Sequence, residues 1–179
     1  MGLLFKTKVY LVGGMQYVSD GRSWRAGLTE QLTTLGITVF DQYVKPFVDD
    51  AKEDESIRAE LKAQMLRGEF DAVAERMKKI RNFDLRLCDL SDFIIAHINP
   101  SVASWGSAEE IVTSVRGKKP VFISIEGGKV ACPLWILGMI PPKYIYNNVG
   151  EIFETIKRID SGEKIMDSDR WKLLKPEFR

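Results

Sequence analysis

The chain has 179 residues, 45% of them hydrophobic, and its 26 basic and 25 acidic side chains leave a formal net charge of +1. A chain of this length and composition can bury the core of one globular domain without disulfide bonds. Because the two signs of charge balance, the sequence has no basic footprint for a nucleic-acid polymer or an anionic membrane, and we expect neither as a partner.

Cysteine use and hydropathy predict a cytoplasmic protein. Cys88 and Cys132 are too few and too far apart for a disulfide framework or a Cys-x-x-Cys metal site, which fits a reducing compartment. The opening run MGLLFK is cut by lysine and is too short for a signal peptide. The apolar stretch 131–142 is too short to span a membrane. We therefore expect a soluble protein with no membrane segment.

Strand and helix patterns alternate through the first half of the chain. KVYLV at 8–12 ends in two glycines, which predicts a buried strand and a tight turn. Apolar residues at helical spacing then predict a helix that is capped by Ser19 or Asp20 and ends at Gly36, and ITVF at 37–40 predicts a second strand. From 49 to 79, apolar residues at helical spacing with a break near Gly68 predict two helices or one kinked helix.

The alternation continues to about residue 159. A short helix over 82–90 precedes FIIAHI at 93–98, the most hydrophobic predicted strand. WGSAEEIVTSVRG predicts a helix that ends at Gly117, and PVFISI, which begins at Pro120, predicts the fourth strand. KYIY at 143–146 predicts the fifth strand, and Asn148 can cap a last helix.

This alternation predicts an α/β fold. We expect one domain over 1–179, built on an open parallel sheet of about five strands in the order 2-1-3-4-5, flavodoxin/Rossmann-like, with helices on both faces and a helical insertion around 49–80. In such sheets, ligands bind beyond the carboxyl ends of the strands, where the strand order reverses.

Three features are predicted to meet at that edge. The Gly13-Gly14 turn leaves the first strand there, and its amides can approach a phosphate or sugar closely. The loop 99–106 leaves the third strand and delivers the helix that carries Glu109 and Glu110. The start of the helix before the third strand brings Asp84 to the same edge. Because neighbours on a helix point about 100° apart, only one of the two glutamates can face the cleft.

Each candidate also has a purely structural interpretation. Ser107 and Glu110 have the spacing of a capping box, in which the glutamate only starts the helix. Asp84 in a first helical turn would pair with the helix macrodipole. Packing or turn roles are the simplest for Tyr10, Asp92 and His97. Arg22 and Arg25 have the pattern of solvated charges on a helix, although a site near the glycine turn could use one of them for a phosphate.

Three stretches, KVYLVGGM, NFDLRLCDLSDFIIAHI and WGSAEEIVTSVRGKKPVFI, together resemble the nucleoside 2-deoxyribosyltransferase family and its relatives, the nucleotide N-glycosidases. In that family a tyrosine lies on the first strand, two aspartates precede the third strand, and a Gly-Ser/Thr-x-x-Glu element opens the next helix. Tyr10, Asp84, Asp92 and Glu110 fall on these positions, and Lys119-Pro120 follows in the expected place. The resemblance covers residues 8–125.

The resemblance implies an enzyme that cleaves the N-glycosidic bond of a nucleoside or its 5′-monophosphate. Glu110 would attack the anomeric carbon, Asp84 would protonate the leaving base, and Tyr10 would orient Glu110. Passing the sugar to another base makes the enzyme a transferase, and passing it to water makes it a hydrolase. This chemistry needs no metal and no cofactor, and the sequence has no ligand cluster for a metal.

The substrate contacts depart from the family in one place. The transferases carry an aspartate six residues before the nucleophile, but here that position is Ser104, which is closer to the phosphate-binding serine of the N-glycosidases. A gap in the loop would give that role to Ser101. The candidate substrate-binding residues are Gly13, Gly14, Arg22, Asp92, Ser101, Ser104, Gly106 and Ser107.

Assembly and two further functions stay open. Family members are dimers or larger, so the resemblance implies a homo-oligomer. Residues 135–140 are a candidate interface, although buried core is the simpler interpretation. A pocket on this fold can also serve a non-catalytic nucleotide-binding or sensing protein. Alternatively, residues 49–79 are a surface for a protein partner, beside a vestigial pocket.

Overall fold

Five parallel strands form the centre of the molecule, in the order β2-β1-β3-β4-β5. The computed structural model describes residues 2–14, 21–44 and 54–163, and the statements below refer to these. The strands are β1 Lys8–Gly13, β2 Thr38–Asp41, β3 Phe93–Ile98, β4 Val121–Ile125 and β5 Ile145–Tyr146. The α/β class and the predicted strand order are confirmed.

Helices cover both faces of this sheet. They are α1 Ser23–Thr34, α2 Glu55–Leu66, α3 Phe70–Leu90, α4 Trp105–Arg116, α5 Leu134–Met139 and α6 Val149–Asp160. The chain moves from β1 to β2 in one direction across the sheet and from β3 to β4 in the opposite direction. Because such crossovers are right-handed, α1 and α4 lie on opposite faces of the sheet. Helix α1 packs against α6, and α3 packs against α4.

The two central strands supply most of the core. Residues 9–12 of β1 and 93–96 of β3 are fully buried, since helices cover them on both sides. Among these eight residues only Tyr10 carries a polar side-chain group. Its hydroxyl therefore needs a buried partner, and that partner defines the site described below.

Two predicted elements differ from the structure. The helix predicted over 82–90 is the second half of α3, because the helical pattern that starts at Phe70 continues without a break. The real break is at Gly68, whose φ of +79° ends the preceding helix. Strand β5 is shorter than predicted, since its first predicted residues form a 3-10 turn, Pro142–Tyr144. Ser19 and Asp20, the predicted caps of α1, lie outside the described residues, and the helix begins at Ser23.

The predicted insertion comprises α2 and the first part of α3, with residues 49–53 outside the described ranges. Helix α2 buries no side chain and packs on α3. Only the second half of α3 is buried against the body of the protein, through Ile80, Asp84 and Cys88. The insertion thus packs on the rest of the described protein mainly through α3.

The apolar segment 135–140 has one buried and one exposed side. Ile140 is buried and Ile136 and Met139 pack against the core, whereas Trp135 and Leu137 are 82% and 42% exposed. Buried core is therefore correct for half of the segment, and the interface stays a prediction for the exposed side. No helix within the described ranges is long and apolar enough to cross a membrane.

Lys119 closes the carboxyl end of α3. Its ammonium group donates to the carbonyl oxygens of Cys88 at 2.7 Å, Asp89 at 2.6 Å and Ser91 at 2.5 Å. The Cys88 carbonyl also accepts from the Ser91 amide at 3.3 Å and from the Ser91 hydroxyl at 2.8 Å, and a cation at a helix carboxyl end interacts well with the macrodipole. The lysine of the Lys-Pro pair thus has a structural role.

Replacing Lys119 should destabilise the fold. Lys119→Met removes the charged donor that the three carbonyl groups share, and we expect the free energy of unfolding to fall by about 1–3 kcal/mol. The matched control is Lys118→Met, an exposed neighbour with φ of +57° in which methionine keeps the same backbone strain. We expect the control to change stability by less than about 0.5 kcal/mol in urea unfolding. Equal losses in the two variants would contradict this role.

Candidate active site

A cleft of about 350 Å³ opens at the carboxyl edge of the sheet, where the strand order reverses. Its volume suits a small organic ligand. The walls come from the ends of β1 and β2, from α3, and from the start of α4. Six of the residues predicted for the site line it: Gly13, Asp84, Ser104, Gly106, Ser107 and Glu110.

Glu110 lies at the buried end of this cleft and is only 3% exposed. The Tyr10 hydroxyl donates to Glu110 Oε1 at 2.8 Å. The Gln42 amide donates to the same oxygen at 2.6 Å and to the Tyr10 hydroxyl oxygen at 2.6 Å. Glu110 Oε2 is buried and has no hydrogen-bond partner among the described residues. One carboxylate oxygen is thus held in place by two donors, and the other has no such donor among the described residues.

The helical phase of α4 decides which glutamate enters the site. The buried face of α4 consists of Ser107, Glu110, Ile111 and Ser114, at the spacing of one helical stripe. Glu109 points away from it and forms a two-bond ion pair with Arg81 of α3, with Arg81 Nε donating to Glu109 Oε2 at 2.7 Å. Glu109 is therefore paired at the rim of the cleft, and Glu110 faces its interior.

The capping-box interpretation of Ser107 and Glu110 is wrong. Helix α4 begins at Trp105 after Ser104 at the N-cap, so Ser107 lies inside the helix. The Ser104 hydroxyl donates to the Ser107 hydroxyl at 2.8 Å, and Glu110 bonds to Tyr10 instead of to the helix start. The structure thus removes the helix-capping explanation for Glu110.

A second carboxylate approaches from α3. Asp84 is 7% exposed and lines the same cleft. It lies in the middle of a 21-residue helix, so pairing with the start of a helix macrodipole does not explain it. Its side chain joins the cleft because α3 crosses the sheet edge beside α4.

The electrostatics of the site favour the protonated form of Glu110. Burial raises the pKa of Glu110 to about 8, and the Asp84 charge adds to the rise, while hydrogen bonds from Tyr10 and Gln42 oppose it. Burial and the Glu110 charge also raise the pKa of the Tyr10 hydroxyl. Tyr10 therefore stays protonated and acts as a hydrogen-bond donor to Glu110.

The last residue of β1, Gly13, accepts a hydrogen bond from an arginine of α1. Arg25 is fully buried, and its Nη2 donates to the Gly13 carbonyl at 2.9 Å. A Cβ at Gly13 would lie 2.9 Å from the Trp24 ring and 3.1 Å from Arg25 Nη2, so a side chain does not fit there. The prediction that Arg25 is solvated is therefore wrong, and this contact explains why position 13 is a glycine.

Four predicted binding residues lie away from the cleft. Gly14 borders a smaller depression beside His97. Arg22 is exposed and lies 4.7 Å from the Tyr43 ring centroid. Asp92 lies at the opposite, amino edge of the sheet, where its carboxylate accepts from the Lys8 amide at 2.7 Å. Ser101 is exposed, and its amide donates to Asn99. The structure thus gives no contact between these four and the cleft.

Two buried residues of the site were missed by the sequence reasoning. Gln42 directly follows β2, so it stands at the same sheet edge as Gly13, and that position was a usable signal. Arg25 is three residues before Leu28 and seven before Leu32, on the apolar stripe of α1. A charged residue on a buried stripe was the signal there.

His97 takes the packed role expected for it. Its Nδ1 lies 2.8 Å from the Ser124 hydroxyl, and its ring lies 5.4 Å from the Trp24 ring. Burial lowers its pKa. Within the described ranges, no group of three or more His, Cys, Asp or Glu side chains could hold a metal ion.

Comparisons with known proteins support the fold. No family model matches the sequence, and no curated protein matches it. Among solved structures, the chain is similar to a 2-deoxyribosyltransferase from the psychrotolerant bacterium Bacillus psychrosaccharolyticus, described as a biocatalyst for the synthesis of nucleosides. The match has 20% sequence identity and a TM-score of 0.55, and it covers 82% of this chain and 90% of that one. At this identity the similarity establishes a shared fold.

The buried carboxyl group should leave a signature in the pH dependence of stability. The Glu110 carboxyl has a pKa near 4.5 when unperturbed and about 8 in the folded protein, so the folded state binds its proton more tightly. This contribution to stability is complete below the unfolded pKa and is lost as pH rises towards 8, by at most about 1.4 kcal/mol per pH unit. Glu110→Gln removes this loss.

We therefore expect the stability of Glu110→Gln relative to wild type to grow as pH rises from about 5 to 8 in urea unfolding. Glu109→Gln is the control, because Arg81 lowers the pKa of Glu109 and moves its titration below this range. A difference between Glu110→Gln and wild type that is independent of pH would contradict the buried, perturbed carboxyl group.

Proposed function

We propose that the protein cleaves the N-glycosidic bond of a 2-deoxynucleoside through a covalent glycosyl intermediate on Glu110, and passes the sugar to another base or to water. The observation that carries the proposal is the state of Glu110. One oxygen is held by Tyr10 and Gln42, and the other is unpaired among the described residues, at the buried end of a cleft shared with Asp84.

In the first half-reaction, the free Oε2 of Glu110 attacks the anomeric carbon of the sugar. The carbon–oxygen bond forms as the carbon–nitrogen bond breaks, and the bonding electrons leave with the base. Asp84 gives its proton to the departing base nitrogen, so the base leaves neutral. Two carboxyl groups with these roles are the arrangement of retaining glycoside hydrolysis.

In the second half-reaction, the ester between Glu110 and the sugar is the electrophile. A nitrogen of an acceptor base attacks the anomeric carbon and returns a proton to Asp84, and the Glu110 carboxylate leaves. Water in the place of the base gives the free sugar. Transfer and hydrolysis thus share one intermediate and differ only in the acceptor.

The raised pKa of Glu110 works against the ionised form that the reaction needs. With a pKa of about 8, Glu110 is mostly protonated at neutral pH in the free protein. The reactive state has an ionised Glu110 and a protonated Asp84. Hydrogen bonds from Tyr10 and Gln42 stabilise the ionised form of Glu110, because they donate to its carboxylate.

The cleft lining combines a polar buried end with an aromatic surface at its rim. Asp84, Ser107 and Glu110 are buried, whereas the indole of Trp105 is 87% exposed and lies at the rim with the ion pair of Arg81 and Glu109. A nucleoside has the matching shape, with a polar sugar and a flat base. We place the sugar at the buried end and the base against Trp105.

The charge of the described lining favours a nucleoside over its 5′-monophosphate. Asp84, Glu109 and Glu110 are acidic, and the one basic lining residue among those described, Arg81, is in an ion pair with Glu109. A phosphate dianion would meet more negative than positive charge. Ser104 and the start of α4 offer weaker, uncharged contacts to a phosphate. The shared fold of the 2-deoxyribosyltransferase agrees with nucleoside chemistry.

The main alternative is a protein that binds a nucleotide or a related signal without reaction. A binder needs no buried carboxylate with a free oxygen beside a second carboxyl group, and burying such groups costs stability. One observation favours the alternative of a protein-partner surface at 49–79, since Met65, Leu66 and Phe70 at the corner between α2 and α3 are 48%, 84% and 60% exposed. It does not account for the buried Glu110 and Asp84 in the cleft.

A chromatographic assay tests the activity. The protein is incubated with deoxynucleosides and with their 5′-monophosphates, each with and without an acceptor base. We expect release or exchange of base from nucleosides, lost by about 10⁴-fold or more in Glu110→Ala and by about 10²–10⁴-fold in Asp84→Asn. Glu109→Ala is the matched control and should retain turnover.

Each outcome of this assay is informative. Base release without acceptor identifies a hydrolase, and exchange only with acceptor identifies a transferase. Turnover of monophosphates alone would contradict the preference for nucleosides. If no substrate reacts and Glu110→Ala binds nucleosides as well as wild type does, the protein is a binder.

The proposed base platform gives a separate test. Base–aromatic stacking is worth about 1–3 kcal/mol, so Trp105→Ala should raise KM for a nucleoside by about tenfold and change kcat less. Trp135→Ala removes an equally exposed indole from α5, which does not line the cleft, and should leave KM unchanged. Equal effects of the two substitutions would rule out a specific role for Trp105.

A further inference from the structure

Arg25 is the largest fully buried side chain of the described protein, and it lies directly behind the candidate active site. Its guanidinium donates to the carbonyl oxygens of Gly13 and Gly21, the latter through a short hydrogen bond from Nη1. Its Nε lies 3.5 Å from Asp41 Oδ1. A buried charge of this kind is costly unless its partners are well placed.

Three chain segments meet on this one side chain. Gly13 ends β1, Gly21 follows the segment 15–20, and Asp41 ends β2. The rings of Trp24 and Tyr43 lie 4.5 Å and 5.2 Å from the guanidinium carbon and cover it. The planar, five-donor shape of arginine suits this set of partners, and lysine cannot reproduce it.

The two strand ends that Arg25 contacts, those of β1 and β2, lead directly into the site. Gly13 lines the cleft and lies three residues beyond Tyr10 on β1. Asp41 directly precedes Gln42, whose amide bonds to Tyr10 and to Glu110. The position of Gln42 therefore depends on the segment that the ion pair between Arg25 and Asp41 fixes.

We propose that Arg25 is a positioning residue for Glu110, holding Gln42 and the end of β1 in place while its buried positive charge stabilises the ionised carboxylate. The role in turnover rests on the proposed function. The role in the ionisation of Glu110 does not, because it can be measured without any substrate.

Arg25 supplies a positive charge that opposes the effect of the acidic groups around Glu110. Asp84 and Cys88 face Glu110 from α3, Tyr10 from β1, and Arg25 from α1. The Asp84 charge raises the pKa of Glu110, and the Arg25 charge lowers it. Gln42 is uncharged, and its hydrogen bond also lowers the pKa of Glu110. Removing Arg25 or its counter-ion Asp41 should therefore shift the ionisation of Glu110 in opposite directions.

Three variants separate charge from geometry. Arg25→Met removes both the charge and the hydrogen bonds. Asp41→Asn keeps an acceptor oxygen and leaves the arginine charge uncompensated. Arg25→Lys keeps the charge, but one ammonium group cannot replace the guanidinium fork that reaches both glycine carbonyls.

The direct measurement is the titration of the Glu110 carboxyl by difference infrared spectroscopy, with Glu110→Gln subtracted to identify its band. From a wild-type midpoint of about 8, we expect an upward shift of about one pH unit in Arg25→Met and a downward shift in Asp41→Asn. Arg25→Lys should stay near the wild-type midpoint. Unchanged midpoints in both Arg25→Met and Asp41→Asn would overturn the proposal.

Turnover supplies the second readout. We expect Arg25→Lys to lose about tenfold or more in kcat with a smaller change in KM, because Gln42 and the β1 end lose their geometry. An Arg25→Lys enzyme with wild-type kcat would overturn the positioning role. If Arg25→Met does not fold, Asp41→Asn and Arg25→Lys still decide the question. If wild type turns over no substrate, the proposed function fails while the titration still tests Arg25.

Discussion

The hydrogen bond from the Tyr10 hydroxyl to Glu110 Oε1 is the constraint on which the rest of the site depends. It joins β1, one of the two central strands, to the buried face of α4. Burial to this degree raises the pKa of the Glu110 carboxyl group. Burying its charged form costs stability unless hydrogen-bond donors point at it. Tyr10 and Gln42 supply two donors to one oxygen, so the second oxygen keeps a defined direction without a partner among the described residues.

The fold explains how these groups come together from distant parts of the sequence. The reversal of strand order between β1 and β3 opens a cleft at the sheet edge, and β1, the end of β2, α3 and α4 each bring one functional group to it. Arg25 secures two of these elements from behind by binding the Gly13 carbonyl and pairing with Asp41. Glu109 and Arg81 close the rim as an ion pair. The site is thus preorganised by buried polar contacts as well as by apolar packing.

The sequence predicted the sheet order because helical and strand periodicities alternate cleanly, and it singled out Glu110 because a motif marks that position. The length of α3 was underestimated, although no strong helix breaker lies between Phe70 and Leu90 and only Gly68 interrupts the helical pattern. Asp92 lies before β3, so topology alone places it at the edge opposite the cleft, although the motif suggested a binding role. The hydrogen bond between Arg25 and the Gly13 carbonyl could not be predicted, because it depends on how α1 packs against the end of β1 in the folded protein.

The central claim is that Glu110 becomes covalently linked to the sugar, and the most direct test is mass spectrometry of the protein after acid quench during reaction with a deoxynucleoside, without acceptor base. The account predicts a mass increase of one deoxyribosyl group, located by peptide mapping on Glu110. Base release that proceeds with no such adduct on Glu110 at any time in the reaction would contradict it, because the base would then be displaced directly by water.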